Sequence, residues 1–261
     1  MIAPEVRAHI DRTLAATAAA AGVRILYAAE SGSRAWGFGS PDSDYDVRFL
    51  YAHPADWYVR LEEGRDVIER PLDAQLVDLA AWDIRKALRL LLRSNPALYE
   101  WLVSPIPYID DGTTRPALKA MFEAHASQKA LAFHYWSIAR SHWRREIEGT
   151  DQVKLKKYLY LVRPLLSLAW VVDKGVPPPM HMDALLDAVA MPAEPRAVLR
   201  HLIETKRDTP ELGLGPHLPA IDNWAMREIE RLDPARLALS DRPRQDMRAD
   251  ADRLYRHLIG V

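Results

Sequence analysis

The clearest pattern in the chain is an alternation over residues 44–50, where apolar and charged side chains mostly exchange from one position to the next. Strand side chains repeat every two residues, so this pattern predicts a strand with one apolar face and one charged face. Each face carries three of the alternating side chains: Tyr45, Val47 and Phe49 on the apolar face, and Asp44, Asp46 and Arg48 on the charged one.

Strands are also expected on either side of this segment. Residues 23–30 are rich in β-branched and aromatic side chains and predict a strand that enters a glycine-containing turn. Residues 74–80 predict another strand, with Asp78 on the face opposite Val77. A helix over residues 2–21 precedes them, because that stretch is composed mainly of helix formers.

Helical signals take over after the third strand. Apolar residues recur at helical spacing over 84–92, with Asp83 placed to cap that helix and Pro96 placed to open the next one. From about Arg115 onward helical periodicity dominates, and the proline-rich segment 175–180 separates two helical groups.

This order of elements predicts an α+β protein with two domains. We place the boundary in the segment 104–116, so that a first domain covers residues 1–110 and a helical domain covers residues 111–261. A chain of 261 residues is long enough for two modest domains.

Composition narrows the class of protein. The chain is 49% hydrophobic and 27% charged, which is typical of a globular protein, and its 35 basic and 36 acidic side chains exclude a general nucleic-acid coat. The charge is unevenly placed: residues 41–83 hold eleven acids and four arginines, whereas residues 140–163 hold seven basic and three acidic side chains. The absence of cysteine fits a cytoplasmic location, and no apolar run is long enough to predict a membrane span.

The charged face of the alternating strand predicts a metal site. Asp44 and Asp46 lie two apart on one face, and Mg²⁺ or Mn²⁺ prefers carboxylate oxygens as ligands. A third carboxylate from a neighbouring strand would allow two metal ions to be bound, and Asp78 is our prediction for it, with Asp73 and Asp83 as the alternatives.

A phosphate site is predicted beside these acids. Gly32 and Ser33 form a small-residue turn in which backbone N–H groups and a hydroxyl can approach phosphate oxygens. Arg34 follows this turn and Arg48 shares the carboxylate face, so both are predicted to bind oxygens of a nucleoside triphosphate held by Gly32 and Ser33. Further along, three residues fall on one side of a predicted helix and are candidates for phosphate or nucleic-acid binding: Lys154, Lys157 and Tyr158.

Several other sites do not match. The aspartates 42, 44 and 46 have the first spacings of a calcium loop, but Val47 stands where its glycine is needed and His53 where its glutamate is needed. The glycine-containing segment 31–40 has neither the spacing of a dinucleotide loop nor that of a nucleophile elbow.

The whole pattern resembles a known superfamily. Gly32-Ser33, ten intervening residues, Asp44-Tyr45-Asp46 and the later Asp78 are similar to the signature of nucleotidyltransferases of the DNA polymerase beta type. Residues 31–49, 78–105 and 153–166 resemble, more narrowly, a bacterial and phage family of predicted nucleotidyltransferases associated with RNA ligases, and the segment 211–221 does so more loosely. This resemblance implies a mixed β-sheet with flanking helices that bears the metal site, followed by an all-helical substrate-binding region.

The expected function is metal-dependent transfer of a nucleoside monophosphate from a nucleoside triphosphate, such as ATP, to an acceptor. An RNA end is one acceptor; a protein side chain and a small molecule are the others. Two alternatives stay open at this stage. The same carboxylates would serve a phosphodiester hydrolase, and the same fold would serve a nucleotide-binding or interaction module without turnover.

Overall fold

We describe the protein from a computed structural model that covers residues 2–209, 212–241 and 245–261. Seven strands lie in these ranges: β1 (Arg24–Glu30), β2 (Tyr45–Ala52), β3 (Val67–Arg70), β4 (Val77–Asp83), β5 (Pro107–Asp110), β6 (Val153–Lys154) and β7 (Leu214–Gly215). The α-helices are α1 (Pro4–Ala21), α2 (Gly32–Ala35), α3 (Ile84–Leu91), α4 (Pro96–Leu102), α5 (Thr114–His125), α6 (Gln128–Glu146), α7 (Lys156–Lys174), α8 (Met182–Ala188), α9 (Ala193–Asp208), α10 (Pro219–Arg231) and α11 (Gln245–Ile259).

The first five strands form one mixed sheet in the order β3-β4-β2-β1-β5. Strands β2 and β4 run parallel, whereas the other neighbouring pairs are antiparallel. The predicted alternation of β2 is confirmed, because Val47 and Phe49 lie in a core with Ile10 and Leu14 of α1. Asp46 therefore projects from the opposite face of the sheet.

Local signals define the ends of the helices. The Asp83 carboxylate accepts a hydrogen bond from the backbone N–H of Arg85 at 2.8 Å, as expected of a residue that caps a helix. Asn95 does the same for the backbone N–H groups of Ala97 and Leu98, and Pro96 occupies the first turn of α4. Both predicted helix starts are confirmed.

The opposite face of the sheet packs against helices from both halves of the chain. Its core joins Leu26 and Leu50 of the sheet to Phe122 of α5, Leu131 of α6 and Leu168 of α7. A second core lies among α7, α8, α9 and α10. The division into domains at residue 110 stays a prediction, and β5 lies inside the segment where we placed the boundary.

Two short strands depart from the expectation that strand structure ends before the helical region. Val153 and Lys154 pair with Gly215 and Leu214 in a two-stranded antiparallel ladder. Strands of two residues are too short to produce a periodic pattern in the sequence. Among the described residues, none of the helices combines the length and the apolar character needed to cross a bilayer.

Candidate functional site

Two of the predicted acids are direct neighbours across parallel strands. Asp46 of β2 is in register with Asp78 of β4. Arg48 lies between them, with one guanidinium nitrogen 2.7 Å from the Asp46 carboxylate and another 2.8 Å from the Asp78 carboxylate. The positive charge of Arg48 thus neutralises a pair of carboxylates that would otherwise repel each other.

The glycine turn lies directly against this acidic pair. Gly32 has a φ of +60°, and a Cβ atom at this position would overlap the carboxylate of Asp46. The backbone N–H of Ser31 donates to the carbonyl oxygen of Asp46 at 2.9 Å, which fixes the turn to the start of β2. Only glycine combines this backbone conformation with the close approach. The structure therefore brings together Gly32, Ser33 and Asp46, as the sequence predicted.

A buried acid that the sequence analysis missed, Glu30, lies directly before the glycine turn and helps to hold it in place. Glu30 is fully buried, accepts the backbone N–H of Asp46 at 2.9 Å and accepts the hydroxyl of Tyr108 at 2.5 Å. Burial raises the pKa of Glu30 to about 7, against the lowering effect of these two hydrogen bonds. The available signal was an acidic residue at the end of an otherwise apolar strand, directly before the turn.

The electrostatic environment of Asp46 favours a cation. Burial raises the pKa of the Asp46 carboxyl, Arg48 opposes that rise, and the carboxylates of Asp78 and Asp44 add to it. A carboxylate that is partly removed from water beside two others is stabilised by any positive charge placed next to it.

A cavity of about 190 Å³ opens beside the turn. Ser33, Asp44 and Asp46 line it on one side. The remaining lining comes from the loop before β2, from α7 and α9, and from a residue that follows α9: Ser40, Asp42, Ser43, Lys156, Tyr160, Lys206 and Leu212. The cavity thus combines carboxylates with cationic and hydroxyl groups, which is the chemistry of a site for a metal and a phosphate.

Two lysines line this cavity, and the sequence analysis missed Lys206. Lys206 is only 7% exposed, and its ammonium group donates to the hydroxyl of Ser40 at 3.1 Å. Lys156 is the first residue of α7. No local signal links Lys206 to the acidic strand, because more than a hundred residues separate them along the chain.

Arg34 lies at the loop rather than in the cavity lining. Its guanidinium donates to the carbonyl oxygens of Ser43 at 2.6 Å and Asp44 at 3.2 Å, and it stacks 4.0 Å above the ring of Tyr45. Arg34 therefore holds the backbone that carries Asp44.

The predicted strip of Lys154, Lys157 and Tyr158 does not form one helical side. Lys154 belongs to β6, and α7 begins only at Lys156. Lys157 pairs with Glu146 at 3.1 Å, and the fully buried Tyr158 donates its hydroxyl to Asp222 at 2.9 Å. Phosphate binding by these three residues stays a prediction, and the cavity is lined by Lys156 and Tyr160 instead.

The donor set can be compared with what a divalent cation requires. Asp44 and Asp46 present carboxylates to one cavity, and hard oxygen ligands of this kind suit Mg²⁺ or Mn²⁺. Within the described ranges no group of three or more histidine, aspartate or glutamate side chains is arranged to hold a metal. Asp78 is in register with Asp46, and its carboxylate is paired with Arg48. Two carboxylates on the cavity are of the kind that fits a divalent cation, whereas the third is paired with Arg48.

Comparison with known proteins places the chain in a family. An uncharacterized protein from Bacillus subtilis (strain 168), YcgL, is 41% identical over 238 residues, which cover 91% of this chain and 90% of that protein. A nucleotidyltransferase-like protein from Exiguobacterium sibiricum aligns over 95% of this chain and 79% of its own, with a TM-score of 0.31 and 12% identity. The model of the RNA repair pathway DNA polymerase beta family, RlaP, matches residues 6–257. The resemblance seen in the sequence is thereby confirmed: the chain is a nucleotidyltransferase-type protein and belongs to the RNA repair pathway DNA polymerase beta family.

Proposed function

We propose that this protein transfers a nucleoside monophosphate from a nucleoside triphosphate to an acceptor, with a divalent metal ion and with release of pyrophosphate. The observation that carries the proposal is the contact between Gly32 and the Asp46 carboxylate. A polyphosphate held by the turn lies next to the side chain that would ligate the metal. This juxtaposition is what nucleotidyl transfer requires, because phosphate neutralisation and attack occur at the same centre.

The charges around the cavity support a polyphosphate ligand. Lys156 and Lys206 come from the helical half of the chain and line the same cavity as Asp44 and Asp46. Ammonium groups bind phosphate oxygens as point charges, and a metal ion would offset the repulsion between the phosphates and the aspartates. The Ser33 hydroxyl, which also lines the cavity, supplies a neutral donor.

The three predicted aspartates and the two predicted arginines have proposed roles in this site. Asp44 and Asp46 would ligate the metal, and Asp78 would complete the set once Arg48 turns towards the phosphates. A bound Mg²⁺ or Mn²⁺ would neutralise charge on the phosphates and lower the pKa of the attacking hydroxyl. Arg34 would keep the loop that carries Asp44 in place, as its hydrogen bonds to the loop carbonyls suggest.

An RNA end is the acceptor that we propose, because the description of the family places it in RNA repair. The test combines the purified protein, Mg²⁺ and each of the four nucleoside triphosphates labelled at the α-phosphorus, with and without a short RNA that has a free 3′ hydroxyl. We expect label on the RNA and one pyrophosphate per nucleotide transferred.

Two double variants are compared, one with both substitutions in the site and a control with both on the surface. Asp44→Asn with Asp46→Asn should reduce transfer at least about a hundredfold, since a catalytic metal contributes several kcal/mol. Asp56→Asn with Asp151→Asn, at two exposed positions, should leave transfer unchanged. Free monophosphate without labelled RNA would indicate a hydrolase instead. Nucleotide binding without any turnover would indicate a binding module, and either result contradicts the proposal.

A further inference from the structure

A second cavity of about 260 Å³ adjoins the cavity that Ser33, Asp44 and Asp46 line, which we call the acidic cavity. Tyr160 lines both, and the turn that contains Ser31 and Ser33 contributes one serine to each. Burial raises the pKa of Tyr160, and two of the carboxylates of that cavity, Asp46 and Asp44, raise it further, so the ring lies within their electrostatic reach. A ligand that occupies the acidic cavity therefore has the second cavity as its neighbour.

The walls of this second cavity are aromatic and held in place. The indole nitrogen of Trp36 donates to the Glu100 carboxylate at 3.1 Å, and the Arg163 guanidinium stacks 4.3 Å from the centre of the Trp36 ring. Arg163 and Glu100 form a buried ion pair at 2.9 Å. Trp101, on the same cavity, is stacked on Trp82 at 3.8 Å. Rings fixed in this way offer flat surfaces whose position is set before a ligand arrives.

Besides the Glu100–Arg163 ion pair, the wall carries two imidazoles, those of His134 and His142. Burial lowers the pKa of His134 and of His142, so each ring presents one donor and one acceptor near neutral pH. The buried Nε2 atom of His142 has no hydrogen-bond partner within the part of the chain that the structure describes. Buried polar atoms in folded proteins normally have a hydrogen-bond partner, so this nitrogen is a candidate contact for a ligand in the cavity.

We propose that this cavity takes the purine or pyrimidine ring of the nucleotide whose phosphates occupy the acidic cavity. A nucleobase is flat, stacks on aromatic side chains and presents donors and acceptors at its edge, which matches fixed rings beside neutral imidazoles. The volume, near the roughly 300 Å³ lower end for small-ligand sites, suits one ring system better than a whole nucleotide. The proposal rests on the proposed function, because it assumes that phosphates bind at Asp44 and Asp46.

The test compares a ligand with a base and one without it. Isothermal titration in Mg²⁺ would measure binding of the four nucleoside triphosphates in their uncleavable α,β-methylene form, and binding of inorganic tripolyphosphate. Ile138→Trp fills the cavity from its rim, where Ile138 is 40% exposed. Val176→Trp adds the same side chain at a position that is 41% exposed and lies outside the cavity lining. The melting temperature of each variant shows whether it is folded.

We expect at least one analogue to bind about tenfold or more tightly than tripolyphosphate, since stacking of a base commonly contributes that much. Ile138→Trp should weaken this analogue at least about tenfold and change tripolyphosphate binding less than twofold, and Val176→Trp should change neither. His142→Leu, which removes the imidazole but keeps an apolar wall, should also weaken only the analogue.

The outcomes separate the two proposals. If the wild-type protein binds neither an analogue nor tripolyphosphate, the proposed function fails and the base site fails with it. If tripolyphosphate binds as tightly as every analogue, or Ile138→Trp weakens both ligands equally or neither, the base site is overturned while the proposed function stands. A short single-stranded RNA oligonucleotide is titrated in the same way. If Ile138→Trp weakens the binding of this RNA only, the cavity belongs to the acceptor and our assignment to the donor nucleotide is overturned.

Discussion

Replacing Arg48 by methionine tests whether the acidic pair accepts a cation. The guanidinium contacts both carboxylates, at 2.7 Å and 2.8 Å, and is only 18% exposed. Methionine keeps much of the length of the side chain and removes its charge. Asp46 and Asp78 would then face each other without a positive charge between them, on strands that lie about 4.8 Å apart.

The size of the effect follows from this separation. Two unit charges about 5 Å apart repel by roughly 3 kcal/mol at an effective dielectric constant of about 20. Partial exposure and protonation of Asp46 would relieve some of this repulsion, so we expect a loss of about 2 kcal/mol without metal. For a chain of this size that corresponds to a melting temperature lower by roughly 4–8 °C.

Magnesium should reverse much of the loss in the variant. A divalent cation in millimolar excess replaces the missing charge, and binding to the folded state alone raises the melting temperature. In the wild-type protein the same cation must displace Arg48 before it can contact both Asp46 and Asp78. We therefore expect a larger Mg²⁺-induced shift in Arg48→Met than in the wild type.

Thermal unfolding of each protein in EDTA and in Mg²⁺ measures both effects. Arg65→Met is the matched control, because Arg65 pairs with Glu69 on the surface, where both side chains are more than half exposed, and should change neither value. Asp46→Asn combined with Arg48→Met should remove the extra Mg²⁺ shift. An identical shift in wild type and Arg48→Met would refute the reasoning that Arg48 occupies the place of a cation.

Two further predictions concern the support of the glycine turn. Because the pKa of Glu30 is raised to about 7, its carboxyl stays protonated in the folded state above about pH 4.5, where the same carboxyl in the unfolded chain loses its proton. The free energy of unfolding should therefore fall by on the order of 3 kcal/mol as the pH rises to about 7. Glu30→Gln should reduce the difference between the free energies of unfolding at pH 5 and pH 7, as measured by urea unfolding. An unchanged difference would refute the conclusion that Glu30 causes it. Gly32→Ala should abolish transfer and destabilise the fold by more than Gly22→Ala does, because both glycines have a φ near +60° but only at Gly32 would the new methyl group meet Asp46. Equal effects of the two alanines on stability and transfer would show that backbone strain alone is responsible.

The sequence was sufficient for features that depend on neighbours along the chain. The alternation around Asp46 determined which side chains face the core, because strand geometry repeats every two residues. Asp83 and Asn95 marked helix starts, since a capping side chain bonds to backbone groups two or three residues away. The spacing from Gly32 to Asp46 identified the family, and the structure then placed the two residues in contact.

Only the tertiary structure decided what meets the acidic strand from a distance. Lys206 reaches the cavity from α9, and the buried Glu30 accepts a hydrogen bond from the hydroxyl of Tyr108. Neither contact follows from a periodic pattern in the sequence. The sequence analysis predicted Lys154 to lie on one side of a helix with Lys157 and Tyr158. In the structure Lys154 belongs to strand β6 and α7 begins at Lys156. Lys156 and Tyr160 therefore line the cavity in place of the three predicted residues. Local sequence patterns determine the conformation of a segment, whereas the packing of distant segments determines which residues it contacts. The reason is that removing apolar surface from water stabilises a contact whatever the separation of its residues in the sequence.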